Sequence, residues 1–350
     1  VPSRTLDRID VIATSISGSV SDWQKLASIE DEFRKHYTGE VEVHIVDSHP
    51  AAREEAARAV RRGGRIIVSA GGAGTCNSVL EGCCVTGRIP DGLRLAFLRK
   101  GSADLLGKAL GVPDELSAAV RAILTGMAEG NFIDADVIEV SGDIPRKRRV
   151  LGFAGVGVFG DTPMFTENRF VKYYKGFLGT LFGDLGPFLV GVNLALVKYH
   201  LDALRARGAR YKLLAEGLEL PMSRYVSIII MNGDLGEDFP LARGMRFGDG
   251  DFKVVAMRDM GTAASYRQLI SCWKGNLFER SRDLGVVTFR KGSLEIVPER
   301  SGPYMVNVDG LILWANGPVR FGVSDRVKLV STGKNCRLSA PPVIPQGRET

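Results

Sequence analysis

The sequence has little of what marks a secreted, zinc-binding or membrane-spanning chain. Its five cysteines, Cys76, Cys83, Cys84, Cys272 and Cys336, include no Cys-x-x-Cys pair and form no Cys/His cluster with zinc-ligand spacing. An odd number without a framework argues for reduced thiols in a cytoplasmic compartment. Histidine is scarcer still. His36, His44, His49 and His200 are the full set, and nothing in the sequence pairs one of them with a thiol as nucleophilic catalysis would need. No long apolar core occupies the first ten residues, so they do not read as a signal peptide. The most apolar stretch, 177–197, is broken by Gly183-Asp184 and Gly186-Pro187. Each half falls short of the roughly 20 residues that span a bilayer, and two helices around a turn are expected instead. Internal repeats are absent. So is any basic-aromatic module of a familiar nucleic-acid-binding type, which removes nucleic acid from the expected partners.

What is present suits a globular chain. Its 350 residues are 45% apolar and 25% charged, enough for a large core divided over two domains. The formal net charge of +6 favours anionic partners such as phosphate esters or acidic lipid headgroups, although a solvated surface accounts for it equally well.

Residues 1–134 alternate between strand and helix signals. Short buried strands are expected at 10–14, 42–46, 65–69 and 93–98. Between them, Trp23, Leu26, Ile29 and Phe33 mark one face of a helix, and Ala52, Ala56, Ala59 and Val60 mark another, stopped by Gly63-Gly64. This rhythm predicts an α/β domain with a parallel three-layer sheet. From residue 135 to 334 short β-rich runs separated by turn residues predict a mostly antiparallel β-sandwich, interrupted by a helical insertion over 168–207. The tail, 335–350, is expected to be flexible or to pack back on the first domain.

The most chemical segment is Gly71-Gly72-Ala73-Gly74-Thr75, between a predicted strand and a predicted helix. Glycines there let the backbone turn sharply and bring its N–H groups close to an anion, and the helix adds its positive N-terminal end. Thr75 offers a hydroxyl donor. As a bare strand–helix connection the same turn needs no ligand. It is not a dinucleotide fingerprint, because Asn77 stands where the last glycine belongs. Gly101 to Lys108-Ala109 is not a Walker A loop either, having one residue too many and no Ser or Thr after the lysine.

The turn resembles the GGDGT signature of diacylglycerol kinases, sphingosine kinases and their bacterial lipid-kinase relatives. The segment Gly101-Ser-Ala-Asp-Leu-Leu-Gly-Lys-Ala-Leu-Gly-Val-Pro113 is similar to that family's GTGNDFARALGIP. Ser17-Gly18 sits where the family has NPxSG, Val308-Asp309-Gly310 where it has DGE, and Ile133-Asp134 where an aspartate opens its second domain. These landmarks fall in the family's order over some 300 residues, which is far more specific than any one of them. The resemblance implies ATP- and Mg²⁺-dependent phosphorylation of a lipid hydroxyl in a cleft between domains. It further implies phosphate contacts from Ser17, Gly18, Gly71, Gly72, Gly74, Thr75, Gly101 and Ser102. Asp309 would act as base, Asp134 would organise metal-bound water, and Asp104 would add negative charge near the metal. Transient contact with a membrane surface follows from a lipid acceptor. A homodimer is admissible.

The match breaks at informative places. Ala73 replaces the GGDGT aspartate and Leu311 the DGE glutamate; the late DDG is reduced to Gly248-Asp249-Gly250, and the Asn-Asp of GTGND has become Asp104-Leu105. Three readings therefore stand side by side: a divergent active lipid kinase, a pseudokinase that binds nucleotide or lipid without transfer, and an enzyme like NAD kinase, which also carries a GGDGT turn. Phe177, Leu178, Leu181, Phe182, Phe188, Leu189 and Val190 are candidates to line a lipid slot, and Arg146-Lys147-Arg148-Arg149 is a basic run suited to acidic headgroups.

Overall fold

The computed structural model describes residues 8–15, 20–99, 105–166, 186–205 and 209–332. Fully buried strand β1 (Ile9–Thr14) opens the chain and pairs in parallel with β2 (Val41–Val46) on one side and β3 (Ile66–Gly71) on the other. Strand β4 (Arg94–Arg99) extends the parallel sheet beyond β3. Helices α1 (Val20–His36), α2 (His49–Arg61), α3 (Ala73–Cys83), α4 (Leu105–Ala109) and α5 (Leu116–Glu129) connect and cover it; α1 packs on α5, and α2 on α3. Leu26, Ile29 and Phe33 of α1 and Ala52, Ala56 and Ala59 of α2 are buried, as their spacing predicts. Ser48 caps α2 with Pro50 in the first turn, and Gly130 ends α5 in the left-handed conformation.

The rest of the chain is mostly antiparallel: β5 (Phe132–Gly142), β6 (Arg148–Val150), β7 (Phe153–Gly157), helix α6 (Val158–Thr166), helix α7 (Gly186–Leu204), β8 (Arg210–Ala215) and β9 (Leu218–Met231). Then follow β10 (Phe252–Arg258), helix α8 (Thr262–Trp273), β11 (Val286–Lys291), β12 (Ser293–Pro298), β13 (Tyr304–Val308), β14 (Leu311–Ala315) and β15 (Val319–Val330). Strand β9 changes layer along its length. Its first half pairs with β8, its second with β7 and β10. Between the layers lies an apolar core that includes Val140, Tyr211, Ile228, Phe252, Val306 and Phe321.

The two halves share a sheet. Strand β15 pairs antiparallel with β5 and β12, and its end, Lys328-Leu329, pairs in parallel with Arg94-Leu95 of β4. One hydrogen-bonded path thus runs from β14 through β15 and β4 to β2, a mixed α/β architecture with a large sheet. The boundary expected at residue 134 falls inside β5. No helix among the described residues is long and apolar enough to cross a membrane. Of the expected helical insertion, 186–205 is described and is α7. The tail 335–350, Phe177, Leu178, Leu181 and Phe182, and the Phe188 side chain lie outside the described residues.

Candidate active site

Strand β3 ends at Gly71, Gly72 caps the next helix with extended backbone (φ −87°, ψ −174°), and α3 starts at Ala73. Each glycine of the turn has its own reason. A Cβ on Gly71 would overlap Thr75, and one on Gly74 would come within 2.9 Å of both His49 Nε2 and Leu311 Cδ2. Around Gly72 a Cβ would meet nothing within 4 Å, so this is the open side of the turn. The N–H groups of Thr75 and Cys76 already bond the Gly72 carbonyl, and those of Ala73 and Gly74 start the helix, where no earlier carbonyl of α3 exists to bond. Thr75 does not share that side. It is 1% exposed, and its hydroxyl is 2.7 Å from the Thr14 hydroxyl at the end of β1. The expectation that Thr75 donates to a phosphate is therefore corrected: the residue ties β1 to the turn from within the core.

Asp309 and Gly310 form the two-residue loop between β13 and β14, with Val308 opposite Leu311. Both loop residues have positive φ, 46° and 83°, the geometry that makes Asp-Gly a strong hairpin signal. The Asn307 side chain accepts from the Gly310 amide at 2.8 Å and fixes the turn. The hairpin tip faces the glycine turn: a Cβ on Gly310 would lie 3.7 Å from that of Ala73, and Leu311 packs on Gly74. The two positions where the family pattern has acids, Ala73 and Leu311, thus both lie in the contact between hairpin tip and glycine turn.

The Asp309 carboxylate is engaged throughout. Its Oδ1 accepts from the Gly152 and Phe153 amides, both at 2.9 Å, and its Oδ2 from the Leu151 amide at 2.8 Å and Asn77 Nδ2 at 3.0 Å. Burial pushes its pKa above the usual carboxylate range, while the Leu151 and Phe153 amides, Asn77 and the Gly152 amide pull back toward the charged form. With two donors on each oxygen, little acceptor capacity is left for a substrate hydroxyl. The carboxylate is a clamp joining α3 to the segment before β7, rather than the exposed base that the motif position implies.

Asp134 is not brought to this cleft. It lies 2.9 Å from Lys328 across β5 and β15, and Lys328 is level with Arg94 at the start of β4. The glycine turn follows Gly71, level with Arg99 at the other end. Five residues of strand, roughly 16 Å, separate the two levels. Asp249 of the reduced DDG motif is held by Arg246 and Arg290, and Asp136 takes Arg326 and the Gly250 amide. Ser17, Gly18, Gly101, Ser102 and Asp104 lie outside the described residues. The described residues at the turn do not fit Mg²⁺, since none offers a free carboxylate there. The acid–imidazole group Asp10, Glu42 and His44 sits toward the other end of β1 and β2, where Arg8 and Arg62 already neutralise it.

Two features escaped the sequence reading. One is His49, whose imidazole packs on Gly74; its only signal was its place at the start of α2. The other is an apolar pocket, partly open to solvent, lined among others by Phe159, Val192, Leu196, Phe239 and Trp273. It begins one ring behind the clamp. Phe153, whose amide holds Asp309, meets Phe159 edge-on at 5.6 Å, and Phe159 stacks on Phe239 at 5.6 Å. Asp238, also on the pocket wall, pairs with Lys108 of α4 at 2.7 Å. The basic run is spent internally: Arg146 and Arg148 on buried Glu81, Lys147 on Glu139, and Arg149 on the Gly87 carbonyl.

Comparison with known proteins bears on the fold and on the first domain. No curated protein sequence matches the chain significantly. Among solved structures, a Bacillus anthracis str. Sterne protein with a provisional diacylglycerol kinase assignment superimposes with a TM-score of 0.64 at 16% identity, covering 93% of this chain and 98% of that one. Another structure, of a diacylglycerol kinase from the same organism, gives a TM-score of 0.60 at 14% identity, covering 93% and 96%. At such identities the likeness establishes the fold. Residues 8–140, which include the glycine turn, match the diacylglycerol kinase catalytic domain, so this part of the chain is similar to the diacylglycerol kinase-like lipid kinases.

Proposed function

We propose that this chain is a lipid kinase that transfers the terminal phosphoryl group of ATP to the hydroxyl of a diacylglycerol-, sphingoid- or ceramide-like lipid. The observation that carries the reading is one juxtaposition. The Asp309–Leu311 hairpin tip packs on Ala73 and Gly74 beside the open Gly72, and an apolar pocket starts behind Phe153. A polyphosphate at the start of α3 would meet backbone N–H groups and the positive end of the helix. An acyl chain in the pocket would leave its polar head near the cleft. The lipid oxygen attacks the terminal phosphorus, the bond to the leaving diphosphate oxygen breaks, and the hydroxyl proton is lost. His49, beside Gly74, is the imidazole placed to take that proton or to steady the phosphate. The described residues present no Mg²⁺ cage at the turn, and no step here is routed through a metal.

Ala73 and Leu311 favour a second reading, in which nucleotide and lipid bind without transfer. Two apolar side chains at the convergent acid positions remove the charge that phosphoryl transfer normally uses. A soluble acceptor such as NAD has less in its favour, because the pocket is apolar and residues 8–140 match a lipid-kinase domain. Labelled ATP with diacylglycerol, sphingoid, ceramide and NAD acceptors separates the three. A phospholipid product supports the first. Absent turnover with ligand-dependent thermal stabilisation supports the second, and NAD turnover alone the third.

A further inference from the structure

The wall of the apolar pocket carries one polar atom that the protein leaves without a partner. Gln268 of α8 lines the pocket and is 1% exposed. Both protons of its amide nitrogen are committed, Nε2 donating to the Arg258 carbonyl at 2.8 Å and to the Leu284 carbonyl at 2.7 Å. The two ends of the amide therefore cannot change places, because a flipped Oε1 would face two acceptors. Oε1 is left buried, and no donor among the described residues reaches it. A buried acceptor in that state costs free energy until something donates to it. Ser227 supplies the opposite capacity. It lines the same pocket and stands opposite Met257 in the β9–β10 pairing, level with the residue before Arg258, whose carbonyl anchors Gln268. Its hydroxyl oxygen accepts from the Phe159 amide at 3.1 Å, which leaves its proton to give. Ser265, also on the wall, spends its proton on the Gly261 carbonyl.

A spare acceptor and a spare donor in a mostly apolar wall select a ligand group that offers both of their complements. A secondary amide does so, through its N–H and its carbonyl. The ester of a diacylglycerol has a carbonyl for Ser227 but no donor for Gln268. A protonated amine has donors but no acceptor, and in an apolar pocket it needs a counter-charge. Asp238, the one carboxylate on the wall among the described residues, is already paired with Lys108 at 2.7 Å. We propose that Gln268 and Ser227 are specificity-determining residues that read the secondary amide of an N-acylated, ceramide-like lipid. Its N–H meets Gln268 Oε1 and its carbonyl meets the Ser227 hydroxyl. The inference rests on the lipid-acceptor reading above and narrows it to one acceptor class.

The full chain is titrated by calorimetry with a water-soluble short-chain ceramide, with its matched ester in which oxygen replaces the N–H, and with a diacylglycerol of the same acyl length. The ceramide should bind about tenfold more tightly than either, the effect of one buried acceptor left unmet. That comparison uses the unaltered chain and does not depend on a variant folding. Gln268→Met keeps the length and bulk of the side chain. In it the ceramide should fall to the affinity of the ester, while ester and diacylglycerol hold within about twofold. A glutamine with only a structural role would weaken all three ligands alike. Ser227→Ala should weaken ceramide and ester together, since both carry the carbonyl. Equal affinities in the unaltered chain, as when a water satisfies Oε1, or a preference that survives Gln268→Met, would overturn the proposal. Phosphorylation of each lipid is measured in parallel. Diacylglycerol turnover without amide preference removes the amide inference and leaves the lipid-kinase reading; amide preference without turnover does the reverse.

Discussion

Asn77 on α3 and Asp309 at the β13–β14 turn lie 232 residues apart in sequence and 3.0 Å apart in the fold. Asn77 Nδ2 also reaches the Arg149 carbonyl at 2.6 Å, so one amide ties the glycine-turn helix to two segments of the antiparallel half. Asn232 pins the same strip from beyond, donating to the carbonyls of Asp136 and Leu151.

If Asp309 is a clamp, Asp309→Asn acts first on stability. An amide nitrogen would face donors it cannot accept from, at a cost of about 3 kcal/mol. Denaturant unfolding should show a lower midpoint at unchanged slope. Stability equal to that of the parent would return Asp309 to the role of an accessible base.

The two adjacent glycines should separate fold from ligand. Gly71→Ala drives a methyl group into Thr75 and should destabilise the chain by roughly 1–3 kcal/mol. Gly72→Ala meets no neighbour within 4 Å at a φ open to any residue, so stability should hold while nucleotide-induced thermal shift shrinks. Equal shifts in the parent and Gly72→Ala would mean that polyphosphate binds elsewhere.

Because Ala73 and Leu311 both lie where the hairpin tip packs on the glycine turn, acids are best restored together. Ala73→Asp places a carboxylate in the first turn of α3, where the helix dipole welcomes it. With Leu311→Glu, Mg²⁺-dependent phosphorylation of diacylglycerol should rise by about tenfold or more, equivalent to about 1.4 kcal/mol. A folded double variant with no gain would show that these two positions do not limit turnover.

Cys272 lines the apolar pocket, and burial pushes its thiol up to about 12. Only the thiolate alkylates, so below that value each unit of pH should raise its iodoacetamide labelling about tenfold. Mass-spectrometric peptide mapping should find Cys272 nearly inert at neutral pH, and a bound diacylglycerol should slow its labelling further. Rapid neutral labelling in the folded chain would mean that the pocket is wet.

Local patterns carried much of this protein. The alternation of buried runs and amphipathic spacing located β1 to β4 and helices α1 to α3, because each needs only its own period and caps to form. Asp309-Gly310 is legible as a hairpin loop, and Gly71 to Gly74 as a strand–helix turn, since positive φ and close backbone approach restrict which residues fit. Strand β15 was not legible. Its alternation is broken by Gly322 and by an irregularity at Val323/Asp325, and its membership of the parallel sheet depends on β4, more than 200 residues earlier. What Asp309 does with its charge, and that the Gly310-Leu311 tip packs on Ala73 and Gly74, also belong to tertiary structure alone. Each depends on groups that share no local period and meet only after both halves have packed.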